Sequence, residues 1–246
     1  MTEETIVELP EPKVDPDNPA WMILPVQRGV SDEFVKLWDV LKEHGAHVIG
    51  GWVRWMISPD FNTSVPSDID VFMDEQPDPA GRCAQLREAL KDLYSQCNVG
   101  PLSWYYYNEK TAEEDQGLSV NLVVPRLGEY MRTFGTIYEI LGMFDFTVVR
   151  CGLKSLTEAV ADVDFLEDER RKVLYWKHIN CPLAGIFRLL KYTAKGYHAG
   201  PREVAKLLYE WDVRPPEYKA QLKNALEEDE PTEEEIMRLE HLLWVD

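Results

Sequence analysis

Two adjacent glycines follow a short apolar segment and constrain the backbone of this chain near residue 50. Gly50 and Gly51 come directly after Ala46–Ile49 and precede the largely apolar segment 52–57. Neither glycine has a Cβ, so positive φ angles are allowed there and a ligand can approach the main chain closely. Amide groups at the start of a following helix can then face an anion. The segment therefore predicts a strand, a tight turn and a short helix that together bind a phosphate group.

A pair of aspartates lies a short distance further along the chain. Asp68 and Asp70 flank Ile69 at the start of an apolar run. Residues two apart on a strand share one face, and two carboxylates that close together repel each other unless a cation or a proton lies between them. Mg²⁺, or Mn²⁺, suits such a pair because it takes oxygen ligands and completes its shell with water and substrate phosphates. Alone, either motif is most often a turn or a solvated strand end. Their combination favours a metal site beside a phosphate-binding turn.

The order of these motifs carries a resemblance to a known superfamily. Gly50-Gly51-Trp52-Val53-Arg54, followed by Asp68-Ile69-Asp70, resembles the head domain of the DNA polymerase beta-like nucleotidyltransferases. The Gly-Gly-x-Val-Arg form is most similar to the bacterial poly(A) polymerase and CCA-adding enzyme branch, although that branch usually has Asp where this chain has Trp55. The resemblance implies an α+β fold, in which a mixed sheet with flanking helices is followed by a small helical C-terminal region.

Members of this superfamily need a third carboxylate on a later strand next to the Asp pair. Asp145 is the best candidate, because segment 143–150 has the aromatic and β-branched composition of a strand. An acid inside an apolar strand is costly unless it has a partner. Asp145 could instead cap a neighbouring amide at a strand start. Asp74, which has the same parity as Asp70, and Glu129 compete for the same role.

Charge is distributed unevenly along the chain. The net charge of −18 repels nucleic acid at long range. Residues 171–200, however, contain six Lys and Arg and neither Asp nor Glu, and we call this segment the basic island. Within it, Arg188 and Lys191 resemble the Arg-rich helix that follows the head domain in poly(A) polymerases and CCA-adding enzymes, although an amphipathic helix with a solvated basic edge would look the same. Arg54, Arg188 and Lys191 are the candidate charge partners of a triphosphate.

Composition and periodicity predict the organisation of the chain. Residues 1–24 are rich in Pro, Glu and Asp and indicate an acidic tail, residues 25–165 the head domain, and residues 166–246 a helical C-terminal domain. Expected elements include a helix capped by Ser31 with Phe34, Leu37, Trp38 and Leu41 on one face; strands at Ala46–Ile49, Ile69–Met73, Ser103–Tyr107, 118–124 and 143–150; and helices at 79–97, at 182–196 and from Pro201.

With the resemblance included, the predicted activity is metal-dependent transfer of a nucleoside monophosphate from a nucleoside triphosphate such as ATP to an acceptor hydroxyl. The acceptor would be a short RNA or tRNA end, or a protein. Two alternatives stay open: a toxin- or defence-type enzyme that modifies a protein or tRNA, and a non-catalytic descendant that acts as a binding module. We expect a cytoplasmic protein, since its cysteines lack CxxC spacing and the sequence has neither a signal peptide nor a membrane-spanning segment.

Overall fold

A computed structural model describes residues 11–58, 66, 68–75, 77–99, 103–108, 118–123, 135–179, 181–216, 219–220 and 223. Within these residues, one mixed sheet runs in the order β1-β2-β9-β8-β3-β4-β7-β6-β5. Its strands are β1 (Lys13–Val14), β2 (Trp21–Pro25), β3 (Ala46–Ile49), β4 (Ile69–Met73), β5 (Gln96–Val99), β6 (Ser103–Tyr107), β7 (Val120–Val123), β8 (Cys151–Leu153) and β9 (Glu158–Asp162). Strands β4 and β7 pair in parallel, and the other described pairs are antiparallel. The predicted α+β class with a mixed sheet is confirmed.

The helices of the described residues surround this sheet and continue beyond it. They are α1 (Asp32–Glu43), α2 (Gly51–Ile57), α3 (Pro79–Lys91), α4 (Ile137–Gly142), α5 (Phe165–Arg171), α6 (Pro182–Ala194) and α7 (Pro201–Asp212), with a 3₁₀ turn at Thr147–Val149. Helix α1 begins as predicted, because the Ser31 hydroxyl accepts a hydrogen bond of 3.1 Å from the Phe34 amide. Within the described part of the chain, no helix is both long and apolar enough to cross a bilayer.

Two apolar layers hold the sheet between helices. The larger layer joins α1, α2 and α3 to one set of alternating strand residues, such as Val48, Val71 and Leu122. The smaller layer joins α4 to the opposite set, such as Ile49 and Phe72. Because strand residues alternate between faces, Asp70 lies on the face of Phe72 and not on the face of Val71.

The structure differs from the sequence predictions at three segments. The proposed N-terminal tail contributes β1 and β2, and Trp21, Ile23 and Leu24 are buried; the overall composition of residues 1–24 concealed a short apolar run that pairs with β9. Segment 143–150 does not form a strand, because the chain bends at Asp145 and turns into the 3₁₀ helix. Strand β5 replaces the end of the predicted helix at 79–97.

The C-terminal helices pack against a third apolar cluster, which also contains Phe146 and Val148 from the 3₁₀ segment. Gly185 of α6 allows close packing there: a Cβ at this position would lie 3.1 Å from Leu207 of α7 and from Trp176. The described part of the segment after β9 is therefore mainly helical, as predicted, and it packs directly onto residues beside the sheet.

Candidate active site

The turn between β3 and α2 lies beside the Asp pair. Ile49, the last residue of β3, is opposite Asp70 of β4, and Asp68 directly precedes that strand. Gly50 has φ +80°, and a Cβ built on it would lie 3.5 Å from Asp70 Oδ2. A side chain at Gly50 would therefore be strained and would narrow the space in front of the carboxylate.

The amides of the turn are not equally available to an anion. The Gly50 amide donates a 2.8 Å hydrogen bond to the Cys151 carbonyl of β8. Gly51 and Trp52 form the first turn of α2, where amides have no partner within the helix itself. The Gly50 amide is thus engaged with β8, and phosphate binding at Gly50 and Gly51 stays a prediction.

Asp70 is held in an environment that disfavours its charge. Burial, reinforced by the nearby charge of Asp68, raises the pKa of the Asp70 carboxyl to about 6. A hydrogen bond from Asn121 and the charge of Lys191 act in the opposite direction. The Asn121 bond occupies Oδ1, whereas Oδ2 faces the turn. A divalent cation held by Asp68 and Asp70 would relieve this repulsion, so the two side chains fit such an ion.

The strand next to the Asp pair carries an amide in place of the expected third carboxylate. Strand β7 runs parallel to β4, and its Asn121 is in register with Asp70. The Asn121 amide donates a 2.8 Å hydrogen bond to Asp70 Oδ1. Sequence reasoning missed Asn121, although a single polar residue in the apolar segment Val120–Val123 is the same signal that singled out Asp145.

Asp145 does not occupy the predicted position. The strands that flank β4 are β3 and β7, and neither contains Asp145. Its buried carboxylate forms an ion pair with Arg188 of α6. No group of three His, Cys, Asp or Glu side chains in the described ranges is placed to hold a metal ion. The placement of Asp145 beside the Asp pair on a strand is therefore wrong.

Of the two competing acids, the structure describes Asp74 alone, and Asp74 does not replace Asp145. Asp74 follows the opposite end of β4, where its carboxylate pairs with Arg82 at 3.0 Å. Glu129 lies outside the described residues. Among the described residues, the structure therefore brings Asp68 and Asp70 to the turn without Asp74 or a strand that carries Asp145.

Part of the basic island faces the Asp pair. The charge of Lys191 in α6 acts on the Asp70 carboxyl and favours its ionised form. Burial and the neighbouring positive charges of Arg54 and Lys191 lower the pKa of Lys195, while Asp68 opposes that shift. Arg188, one turn before Lys191, is paired with Asp145. Lys195, which the sequence analysis did not single out, thus interacts electrostatically with Asp68, as Lys191 does with Asp70.

The Arg54 side chain lies in a buried polar network. Its side chain is 2% exposed, and Nη1 donates a 2.5 Å hydrogen bond to the Tyr197 hydroxyl. Nη1 also lies 3.6 Å from Glu169 Oε1, and Ser58 and Tyr197 both donate hydrogen bonds to that carboxylate. Arg54 therefore joins α2 to α5 and to the segment after α6. The guanidinium is thus buried in this network, and its assignment as a charge partner of a triphosphate stays a prediction.

The chain has the fold of the poly(A) polymerase and CCA-adding class of nucleotidyltransferases. It is similar to the Thermotoga maritima CCA-adding enzyme complexed with tRNA, with a TM-score of 0.53 and 16% identity over 91% of this chain and 55% of that one. It is also similar to a tRNA-processing enzyme in apo form I, with a TM-score of 0.52 and 17% identity over 89% of this chain and 58% of that one. The chain thus spans little more than half the length of these proteins. No family model and no curated protein matches its sequence.

Proposed function

We propose that this protein is a metal-dependent nucleotidyltransferase that moves a nucleoside monophosphate from a nucleoside triphosphate to the 3′ hydroxyl of an RNA end. The observation that carries the proposal is the Asp68–Asp70 pair, which shares a site with the Gly50 turn and with Lys191. Solved structures with the same fold include a CCA-adding enzyme complexed with tRNA and one complexed with ATP. These complexes support the choice of substrates, and the site supports the chemistry.

Asp68 and Asp70 are the residues that would hold Mg²⁺ or Mn²⁺, with substrate phosphates and water completing the ligand set. When bound, the ion supplies charge stabilisation at the phosphate oxygens and makes a hydroxyl group more acidic. The raised pKa of Asp70 fits this role, because a carboxylate that is unstable alone gains most from a nearby cation.

The protein side chains would orient the triphosphate and neutralise its charge. Lys191 interacts electrostatically with Asp70 and Lys195 with Asp68, so both would pair with phosphate oxygens, while the amides of Gly51 and Trp52 would meet the phosphates from the turn. Phosphoryl transfer of this kind depends on positioning and electrostatics, so a nucleophilic side chain is not required. Arg188, one helical turn before Lys191, forms an ion pair with Asp145 that neutralises the Asp145 charge.

A non-catalytic nucleotide-binding descendant is the second candidate. The observation in its favour is Asn121, an amide at the position in register with Asp70. Two carboxylates can hold Mg²⁺ together with a triphosphate, but a third would strengthen the site. Triphosphate binding without transfer would identify this candidate.

The test is transfer of radiolabel from each α-³²P ribonucleoside triphosphate to tRNA with a trimmed 3′ end, in Mg²⁺ and in EDTA. Wild-type protein should label the RNA only with metal present, and Asp70→Asn should lose the activity. Asp39→Asn, on the exposed side of α1, is the matched control and should keep it. If the wild type transfers no label from any triphosphate, or if Asp70→Asn transfers as much as the wild type, the enzyme proposal is wrong.

A further inference from the structure

Two tyrosines of β6 point to the same face of the sheet as Asp70. Tyr105 and Tyr107 are two residues apart, so their side chains share one face of the strand, and their ring centroids are 5.8 Å apart. Both are half-buried. The side chains of Trp104 and Tyr106 point to the other face of the sheet, where Tyr106 is buried and Trp104 packs under the Arg87 guanidinium. The tyrosine pair is thus an aromatic surface that the described core does not fully cover.

The strand register connects this tyrosine pair to the candidate active site. Asp70 is in register with Asn121 of β7, and Asn121 is in register with Tyr105 of β6. Registered residues on neighbouring strands point to the same face. Since adjacent strands lie about 4.8 Å apart, Tyr105 and Asp70 are separated by about 10 Å across the sheet. That distance is comparable with the size of one nucleotide.

The tyrosine pair lies on the side of Asp70 that is opposite to the phosphate-binding turn. Gly50 follows β3, which flanks β4 on one side, whereas β7 and β6 lie on the other. In phosphoryl transfer, the leaving and attacking oxygens are roughly in line through the phosphorus atom. If the pyrophosphate leaving group lies at the turn, the acceptor hydroxyl therefore attacks the α-phosphate from the opposite side, where β7 and β6 lie. This step rests on the proposed function.

We propose that Tyr105 and Tyr107 form a stacking platform for the unpaired bases at the 3′ end of a single-stranded RNA acceptor. A chain with a net charge of −18 cannot attract RNA by its overall field. Stacking on aromatic rings supplies affinity without positive charge, accepts every base, and contributes about tenfold in Kd for each stacked base. The platform would hold the terminal nucleotide so that its hydroxyl faces the Asp68–Asp70 pair.

The test compares the binding of two 5′-fluorescein-labelled oligoadenylates, one intact and one with an abasic ribose at its 3′ end. For the wild type, removal of the terminal base should weaken binding about tenfold. Tyr105→Leu, which keeps the apolar bulk on β6, should weaken binding of the intact oligonucleotide by a similar factor and bind both probes equally. Tyr105→Phe should behave as the wild type. Tyr209→Ala, at an exposed tyrosine of α7, is the matched control and should change neither value.

Binding of a fluorescent ATP analogue separates this inference from the proposed function. The tyrosine variants should bind the analogue as the wild type does, because the turn and Lys191 are unchanged. The wild type could fail to transfer label while its oligonucleotide binding still depended on Tyr105. That result would refute the enzyme proposal and support the platform. Equal binding of the two probes by the wild type, or unchanged binding by Tyr105→Leu, would overturn the platform whatever the transfer assay shows.

Discussion

Asn121 donates a 2.8 Å hydrogen bond from its side-chain amide to Asp70 Oδ1, across the one parallel strand pair of the described sheet. The bond orients the Asp70 carboxylate so that Oδ2 faces the Gly50 turn. It also favours the ionised form of a carboxyl whose pKa burial and Asp68 raise. Asn121 thus positions and partly stabilises the residue on which the proposed chemistry depends.

Asp70→Asn should stabilise the metal-free protein at neutral pH. The pKa of Asp70 in the folded state is about 6, compared with an ordinary value of 3.8, so its ionisation opposes folding increasingly as the pH rises from 3.8 to 6 and fully above that. Asparagine removes the charge and can still accept the Asn121 hydrogen bond. We expect a gain of about 2–3 kcal/mol in the free energy of unfolding at pH 7.5. The gain should shrink toward pH 4, where the wild-type carboxyl is protonated in the folded state.

Urea unfolding in EDTA at several pH values measures this difference. Asp39→Asn, on the exposed side of α1, is the control for removal of a carboxylate and should differ from the wild type by less than about 0.5 kcal/mol. A wild type that is more stable than Asp70→Asn at pH 7.5 would show that the Asp70 charge is already compensated in the metal-free protein.

Asn121→Asp should make the stability of the protein depend more strongly on Mg²⁺. The substitution places a third carboxylate beside Asp68 and Asp70 and removes the amide donor, so the metal-free protein should lose about 1–3 kcal/mol. A bound cation would offset this repulsion, and the increase in Tm on addition of Mg²⁺ should exceed that of the wild type. Asn98→Asp, in the same row of the sheet but on the edge strand β5, is the control. Equal Mg²⁺ responses in all three proteins would count against a metal site at Asp70.

Replacement of Lys191 and Lys195 together by Ala should weaken triphosphate binding about tenfold or more. Lys191 interacts electrostatically with Asp70 and Lys195 with Asp68, and removal of both lysines should also reduce the salt dependence of the remaining affinity, since fewer ionic contacts are left to screen. Titration of a fluorescent ATP analogue at low and high salt measures both quantities. Lys36→Ala, at an exposed position of α1, should leave them unchanged. An unaltered affinity would mean that this part of the basic island does not contact the triphosphate.

Arg54→Met should destabilise the fold. The substitution leaves Glu169 buried with less positive charge around it and deprives Tyr197 of a hydrogen-bond donor, so we expect a loss of about 3 kcal/mol measured by urea unfolding. Arg170→Met removes an exposed ion pair on α5 and should cost less than about 1 kcal/mol. If Arg54→Met instead kept full stability and lost triphosphate affinity, the structural role would be wrong and the predicted contact of Arg54 with the phosphates would be supported.

Local features of the fold were readable from the sequence because they depend on residues close together in the chain. Ser31 and Phe34 are three residues apart, and the alternation of Ile69, Val71 and Met73 against Asp70 has the period of a strand. Strands β3 and β4 have the predicted bounds for the same reason. The Gly50 turn followed by the Asp pair therefore indicated both the class of fold and the location of the candidate site.

Asp145 and Asn121 show where local pattern stops being informative. Each is a single polar residue in an apolar segment, and the sequence signal is the same for both. Strand order decides between them: β7 pairs with β4, whereas the chain turns at Asp145 and meets Arg188 of α6. Arg54 and Tyr197 are likewise brought together across 143 residues.

The sequence by itself determined the glycine turn, the aspartate pair and the alternation that places both carboxylates beside that turn, because these are short-range properties of the backbone. Only the tertiary structure decided which side chains surround Asp70. Sheet order and helix packing depend on how apolar faces are buried over the whole chain. The spacing of residues within a short segment does not determine that arrangement. Asn121, Lys195 and the tyrosine pair of β6 are therefore visible as neighbours of the site only in the folded protein.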